Sequence, residues 1–183
     1  MRRLVASSLI VACATLATGC GLVDAATKDR PGKSIGSLQT FAAQDWEIQL
    51  PCDPLETKQD TPVEGRIEPL TLRVWSCEDA DTAYLVSTAK LPADSRPVLE
   101  RVARGAAQGV DGELVKSKPV TYAGIPARDV RIETSYEGEP ATAFGRVMVR
   151  EQVLYQLLVI EVGEHTTKAP ELYRTIIDSL SFE

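Results

Sequence analysis

From Asp45 onward, apolar and polar residues alternate in short runs. "WEIQLPC" puts Trp46, Ile48 and Leu50 on one side and Glu47 and Gln49 on the other. A period of two predicts a half-buried strand. "LTLRVWSC" sets Leu70, Leu72 and Val74 opposite Thr71, Arg73 and Trp75. The acidic "EDAD" of residues 78–81 reads as a turn, and "TAYLVSTAKL" as the strand that follows it. "ARDVRIETSY" alternates again, with Val130, Ile132 and Thr134 facing away from Asp129, Arg131 and Glu133. "TAFGRVMVRE" and "QVLYQLLVIEV" come next, with a turn near Glu151 between them. The last run is apolar on both sides, as in a central strand covered on both faces.

Two segments carry the helical period instead. "SRPVLERVARGAAQGV" gathers Val98, Val102 and Ala106 on one stripe, flanked by Leu99, Ala103 and Val110. Asp94 or Ser95 is placed to cap it, Pro97 suits its first turn, and Gly109 to Gly112 ends it. "APELYRTIIDSL" groups Leu172, Tyr173, Ile176, Ile177 and Leu180, and "SFE" closes the chain as a short edge strand. Strands, a helix, more strands, a helix and a last strand, joined by hairpin-length links, predict an α+β domain. Its antiparallel sheet would carry two packed helices.

The beginning of the chain follows another pattern. "MRRLVASSLIVACATLATGC" opens on Arg2 and Arg3 and runs apolar from Leu4 to Ala17. That is the basic start and short apolar stretch of an export signal. Its 14 residues fall short of the roughly 20 a spanning helix needs. Ala17, Thr18 and Gly19 lead into Cys20. This resembles the lipobox of bacterial lipoproteins, which implies a diacylglyceryl thioether on Cys20 and acyl chains, palmitate among them, in a membrane. The family prefers Leu three residues before the cysteine, where this chain has Ala17. The earlier Cys13 leaves an apolar stretch of only six residues, below the usual range of about seven to fifteen. The sequence thus divides into a lipoprotein signal peptide (1–19), a lipidated cysteine with its tether (20–44) and a folded domain (45–183). Ile35, Leu38 and Phe41 are the tether residues apolar enough to pack where it joins the domain.

Charge narrows the partners. The whole chain carries −6; without Arg2 and Arg3 it has 18 bases against 26 acids, or −8. Such a surface lacks the basic footprint of a nucleic-acid binder. Anionic lipid would repel it, leaving the acyl chains on Cys20 as the membrane contact. In an exported protein the pair Cys52 and Cys77 suggests a disulfide. Alternation opposes it, since Cys52 shares a side with Trp46, Ile48 and Leu50 while Cys77 lies opposite Leu70, Leu72 and Val74. The bond requires one strand to end before its cysteine, and Pro51 supplies such a break.

"WEIQLP", "EPLTLRVWSCEDADTAYLVSTAKLP", a helix, "YAGIPARDVRIE", "GRVMVREQVLYQLLV" and "SLSF" follow one another in the order of the PsbP-like fold. Over about residues 41–183 the chain is most similar to LpqN-type bacterial lipoproteins. The resemblance implies a non-enzymatic accessory or binding protein on the extracytoplasmic face of a bacterial membrane. It carries over no catalytic residue, metal ligand or cofactor.

The residues with chemistry in them do not gather. His165 in "GEHTTKAP" has no serine and acid placed with it, as a triad would need. Glu78, Asp79 and Asp81 lack the glycine and distal glutamate of a calcium loop. "AGIPARD" (123–129) has one glycine and no lysine, so it reads as a turn into a strand and not a phosphate loop. Trp46 and Trp75 read as core before groove. The leading expectation is a binding domain; the alternatives are a hydrolase of envelope polymers and a carrier of an apolar ligand.

Overall fold

The computed structural model describes residues 37–43, 45–61 and 69–183; Cys20 and the signal-like stretch lie outside them. Ten strands and two helices follow in order: β1 (Gln39–Ala43), β2 (Trp46–Leu50), β3 (Leu55–Thr61), β4 (Leu70–Asp79), β5 (Thr82–Lys90), α1 (Leu99–Gln108), β6 (Glu113–Tyr122), β7 (Ile125–Tyr136), β8 (Glu139–Arg150), β9 (Val153–Val162), α2 (Glu171–Asp178) and β10 (Ser181–Phe182). They form a three-stranded sheet, β1-β2-β10, and a seven-stranded sheet, β3-β4-β5-β9-β8-β7-β6. Every pairing is antiparallel.

The predicted strands form because their alternation matches one covered face, or in β9 two. β9 is the middle strand of the large sheet, as its two-sided apolar character requires. Tyr155, Leu157 and Val159 enter one core, which the small sheet closes with Trp46, Ile48 and Leu50 and α2 closes with Ile176 and Ile177. Leu158 and Ile160 enter the other, under α1. α1 meets that face through Ala103, Ala106 and Ala107. The hairpins are tight: Ala123–Gly124, Glu137–Gly138 and Glu151–Gln152 all have positive φ at both central residues. That is the turn geometry matching the twist of the flanking strands.

The expected α+β class is corrected. Strand makes up 59% of the described residues, the helices are ten and eight residues long, and there are two sheets where one was expected. Two physical facts account for the difference. α1 starts at Leu99 behind an uncapped Val98, not at Asp94 or Ser95, because Pro97 pushes Arg96 toward extended backbone. Three strands arise from stretches with little apolar alternation: β1 (QTFAA), β3 (LETKQDT) and β6 (ELVKSKPVTY). All three sit at sheet edges, where much of the strand stays in water and pairing needs no apolar stripe. Pro119 is tolerated in β6 for the same reason. β1 (Gln39–Ala43) is thus a strand within the stretch read as tether.

Candidate functional site

The small sheet is fastened to the large one by a covalent bond. Cys52 and Cys77 form a disulfide with their α-carbons 5.9 Å apart, across a separation of 25 positions. The conflict of faces disappears because β2 ends at Leu50, so Pro51 and Cys52 lie in a bend freed from the alternation. On β4, Trp75 is buried in the core shared with the small sheet, and Cys77 packs against that core. The side of β4 opposite Leu70 and Leu72 is therefore the one that meets β2.

Beside this bond lies a groove of about 290 Å³, bounded by β1, by Pro54 after the disulfide, and by β3 and β4. Phe41 and Trp75 form its aromatic part, their ring centres 6.3 Å apart. Trp46 backs them, edge-on to Trp75 at 5.1 Å. Both tryptophans are 3% exposed, which makes them core residues as the sequence suggested, with Trp75 also reaching the groove. Arg73 lies with its guanidinium 5.1 Å from the Trp75 ring centre and pairs with Glu56 at 2.9 Å. The register sets Glu56 against Trp75 and Lys58 against Arg73, so this ion pair runs diagonally between β3 and β4. The hydrogen bond from Arg73 holds the Glu56 carboxyl below the usual carboxylate range. An aromatic floor, one neutralised ion pair and a strand edge suit an uncharged, flat or extended group. Sequence reasoning missed the groove because two of its walls, β1 and β3, were not recognised as strands.

Several other polar side chains tie elements of the fold together. Arg146 grips Asp129 with two hydrogen bonds (2.7 and 3.3 Å), reaches Asp178 at 3.1 Å and lies over the Tyr122 ring. Arg128 ties Glu100 of α1 to Ser117 of β6 at 2.6 Å each. Tyr136 donates to Glu78, so one of the acids of the "EDAD" turn is a structural acceptor. Tyr173 donates to the Gly145 carbonyl, and burial pushes its hydroxyl well above the ordinary tyrosine value. Tyr155 donates to Asp45, and burial together with that carboxylate pushes it up to about 12.

His165 is exposed and donates from Nδ1 to the carbonyl of Ala141 at 3.1 Å, while Ser87 pairs with Gln156 on the neighbouring strand. The structure thus separates the histidine from that serine. Among the described residues, no three or more of His, Cys, Asp and Glu come together as a metal site, and no helix is long and apolar enough to cross a membrane. "AGIPARD" forms the β6–β7 hairpin and the start of β7, as expected of a turn.

No family model matches the sequence, and no curated protein matches it. Solved structures do. The solution structure of cyanobacterial PsbP (CyanoP) from Synechocystis sp. PCC 6803 aligns with a TM-score of 0.56 at 13% identity, covering 86% of this chain and 99% of that one. A protein of unknown function from Pseudomonas aeruginosa aligns with a TM-score of 0.39 at 13% identity, over 69% of this chain and 84% of the other. The alignment with CyanoP shows that the two-sheet domain built from β1 to β10 has a PsbP-like fold.

Proposed function

We propose that this chain is a lipid-anchored envelope protein of the LpqN-type class, held to the extracytoplasmic face of a bacterial membrane through Cys20. Its domain serves as a non-enzymatic accessory that binds a partner in the groove beside the disulfide. The Cys52–Cys77 bond carries the reading. Disulfides persist in oxidising compartments and are rare where thiols are kept reduced. The export signal and the lipobox resemblance at Cys20 point to the same compartment. Two acyl chains on one cysteine give stable anchoring, since each buried methylene contributes roughly 0.8 kcal/mol.

The test is Cys20→Ser in the living cell. The variant is expected to lose incorporation of labelled fatty acid and to leave the membrane fraction. Retained label, or membrane association that survives a salt wash, would refute the anchor. The binding role is tested separately with generic ester, glycoside, peptide and phosphate substrates, on which no turnover is expected. Steady turnover that disappears in His165→Ala would replace the accessory reading with a hydrolase.

A further inference from the structure

Among the described residues, no strand of the small sheet pairs with a strand of the large one. The β1–β2 hairpin is therefore held on the large sheet by side chains and one covalent bond. These ties are spread unequally along it. At the Trp46 end, Tyr155 donates to the Asp45 carboxylate at 3.1 Å, and the Glu183 N–H donates to the Asp45 carbonyl at 3.1 Å. Phe182, which pairs with Trp46, lies edge-on to the Tyr155 ring at 5.1 Å. At the Leu50 end, the connection to the large sheet is the Cys52–Cys77 bond together with the apolar contact of Leu50. The backbone N–H of Gln49 donates to Ser179, just after α2, at 2.9 Å, and that bond is exposed. Register shows how far apart the two ends are. Cys77 is level with Tyr84, and Tyr84 with Val159, while Tyr155 lies four residues earlier on β9. At about 3.3 Å per residue, that is roughly 13 Å.

The bond decides whether the Leu50 end can move. Ile48 and Leu50 are each 1% exposed, so their burial favours the closed position with or without it. A two-stranded hairpin has little stability of its own in water. Without the bond, the Leu50 end can lift from the large sheet while the Trp46 end stays tied. With it, the Cys52 and Cys77 α-carbons are held 5.9 Å apart and the lift is blocked. A lift carries β1 away as well, and with it the Phe41 and Ala42 wall of the groove. The facing wall of Glu56, Arg73 and Trp75 belongs to β3 and β4 and stays behind.

We propose that the Cys52–Cys77 bond is a redox latch on the β1–β2 hairpin, closed by oxidation of the two thiols, and that the groove is complete only in the latched form. The reaction that closes it is exchange with an electron-accepting disulfide. One cysteine thiolate attacks that disulfide, one of its sulfurs leaves as a thiolate, and a mixed disulfide forms; the second cysteine thiolate then displaces the partner. The two cysteines give up two electrons and two protons, and the partner departs as a dithiol. Cys52 and Cys77 are both partly exposed, which gives the exchange access to them. The consequence for the groove rests on the binding role proposed above. The latch does not, because it is measured with no binding partner present.

The experiment follows amide hydrogen exchange by NMR on the full chain. It compares the oxidised protein, the protein reduced with a water-soluble phosphine, and the reduced protein reoxidised with glutathione disulfide. The quantity read is the ratio of exchange rates in β2 (Trp46–Leu50) to those in β9 (Val153–Val162). A ratio cancels any loss of stability shared by the whole domain and isolates local opening. Reduction is expected to raise it about tenfold or more, most strongly at Ile48–Leu50, and reoxidation to restore it. The double variant Cys52→Ala, Cys77→Ala should match the reduced protein, and it also serves if the phosphine does not reach the bond. The latch is overturned if the ratio is unchanged once both thiols are free, if the double variant keeps the oxidised ratio, or if the increase is confined to the Trp46 end.

Discussion

Removing the disulfide is the most informative perturbation of this fold. Replacing Cys52 and Cys77 together by alanine opens a loop of 25 positions. The chain-entropy relation gives about 12 cal/mol/K for a loop of that length, or roughly 3.5 kcal/mol at room temperature. Both cysteines are only partly buried against the core, so loss of their sulfurs adds about 1 kcal/mol at most. A total near 4 kcal/mol is a large fraction of the roughly 5–15 kcal/mol that holds an ordinary domain. For a domain of this size it corresponds to a fall in Tm of roughly 8–16 °C. The assay is equilibrium urea unfolding of the oxidised wild type, the reduced wild type and the double alanine variant. The reduced wild type and the variant should nearly coincide. Both should show a steeper denaturant slope than the oxidised chain, because an uncrosslinked unfolded state exposes more surface. A stability difference below about 1 kcal/mol, with Cys52 and Cys77 both labelled as free thiols in the denatured, unreduced protein, would refute the crosslink and the compartment inferred from it.

Two glycines should respond in opposite directions to the same substitution. At Gly145 an added Cβ would clash with the Leu157 carbonyl oxygen and Leu158 Cδ2, so Gly145→Ala is expected to cost roughly 2–3 kcal/mol in urea unfolding. At Gly105, exposed inside α1 with nothing within 4 Å, Gly105→Ala should stabilise by about 0.5–1 kcal/mol; the same sign at both sites would contradict the packing described. All five tyrosines have hydroxyls raised above the ordinary 10.0, with burial the largest cause in each. A raised folded value favours the neutral phenol; for Tyr155 that stabilisation is complete below pH 10 and is lost as pH rises through about 12. Phenolate absorbance should therefore rise at higher pH in the folded chain than in the unfolded one, together with loss of tryptophan burial; coincident titration of folded and unfolded chains would show the hydroxyls to be free. Restoring oxidation to the reduced wild type should return its full urea resistance, and failure to regain it would mean that the bond does not re-form between Cys52 and Cys77.

Alternation of apolar residues was enough to place β2, β4, β5, β7, β8 and β9, because each buries one or both faces and its composition must match. The two-sided run at residues 153–162 even located the centre of the large sheet. Cys52 and Cys77 could be paired on paper from their number and compartment, with Pro51 supplying the break that the pairing needed. What the sequence could not express was everything decided at an edge or across a long separation. β1, β3 and β6 bury little, so nothing in their composition had to be apolar, and their strand state comes from partners that hold them in register. The pairing of Trp46 with Phe182 joins the start of the domain to its end, and only the folded chain brings those residues together. β2 takes β1 and β10 as its partners, separate from the large sheet, and β1 lies beside β3 and β4 with a groove between them. The helices came out shorter than their periodicity implied because a proline delays one and eight residues suffice for the other to cover its share of the core. The proposed anchor at Cys20 belongs to the opposite case: it rests on the sequence alone, since a signal is read as an unfolded segment and owes nothing to tertiary packing.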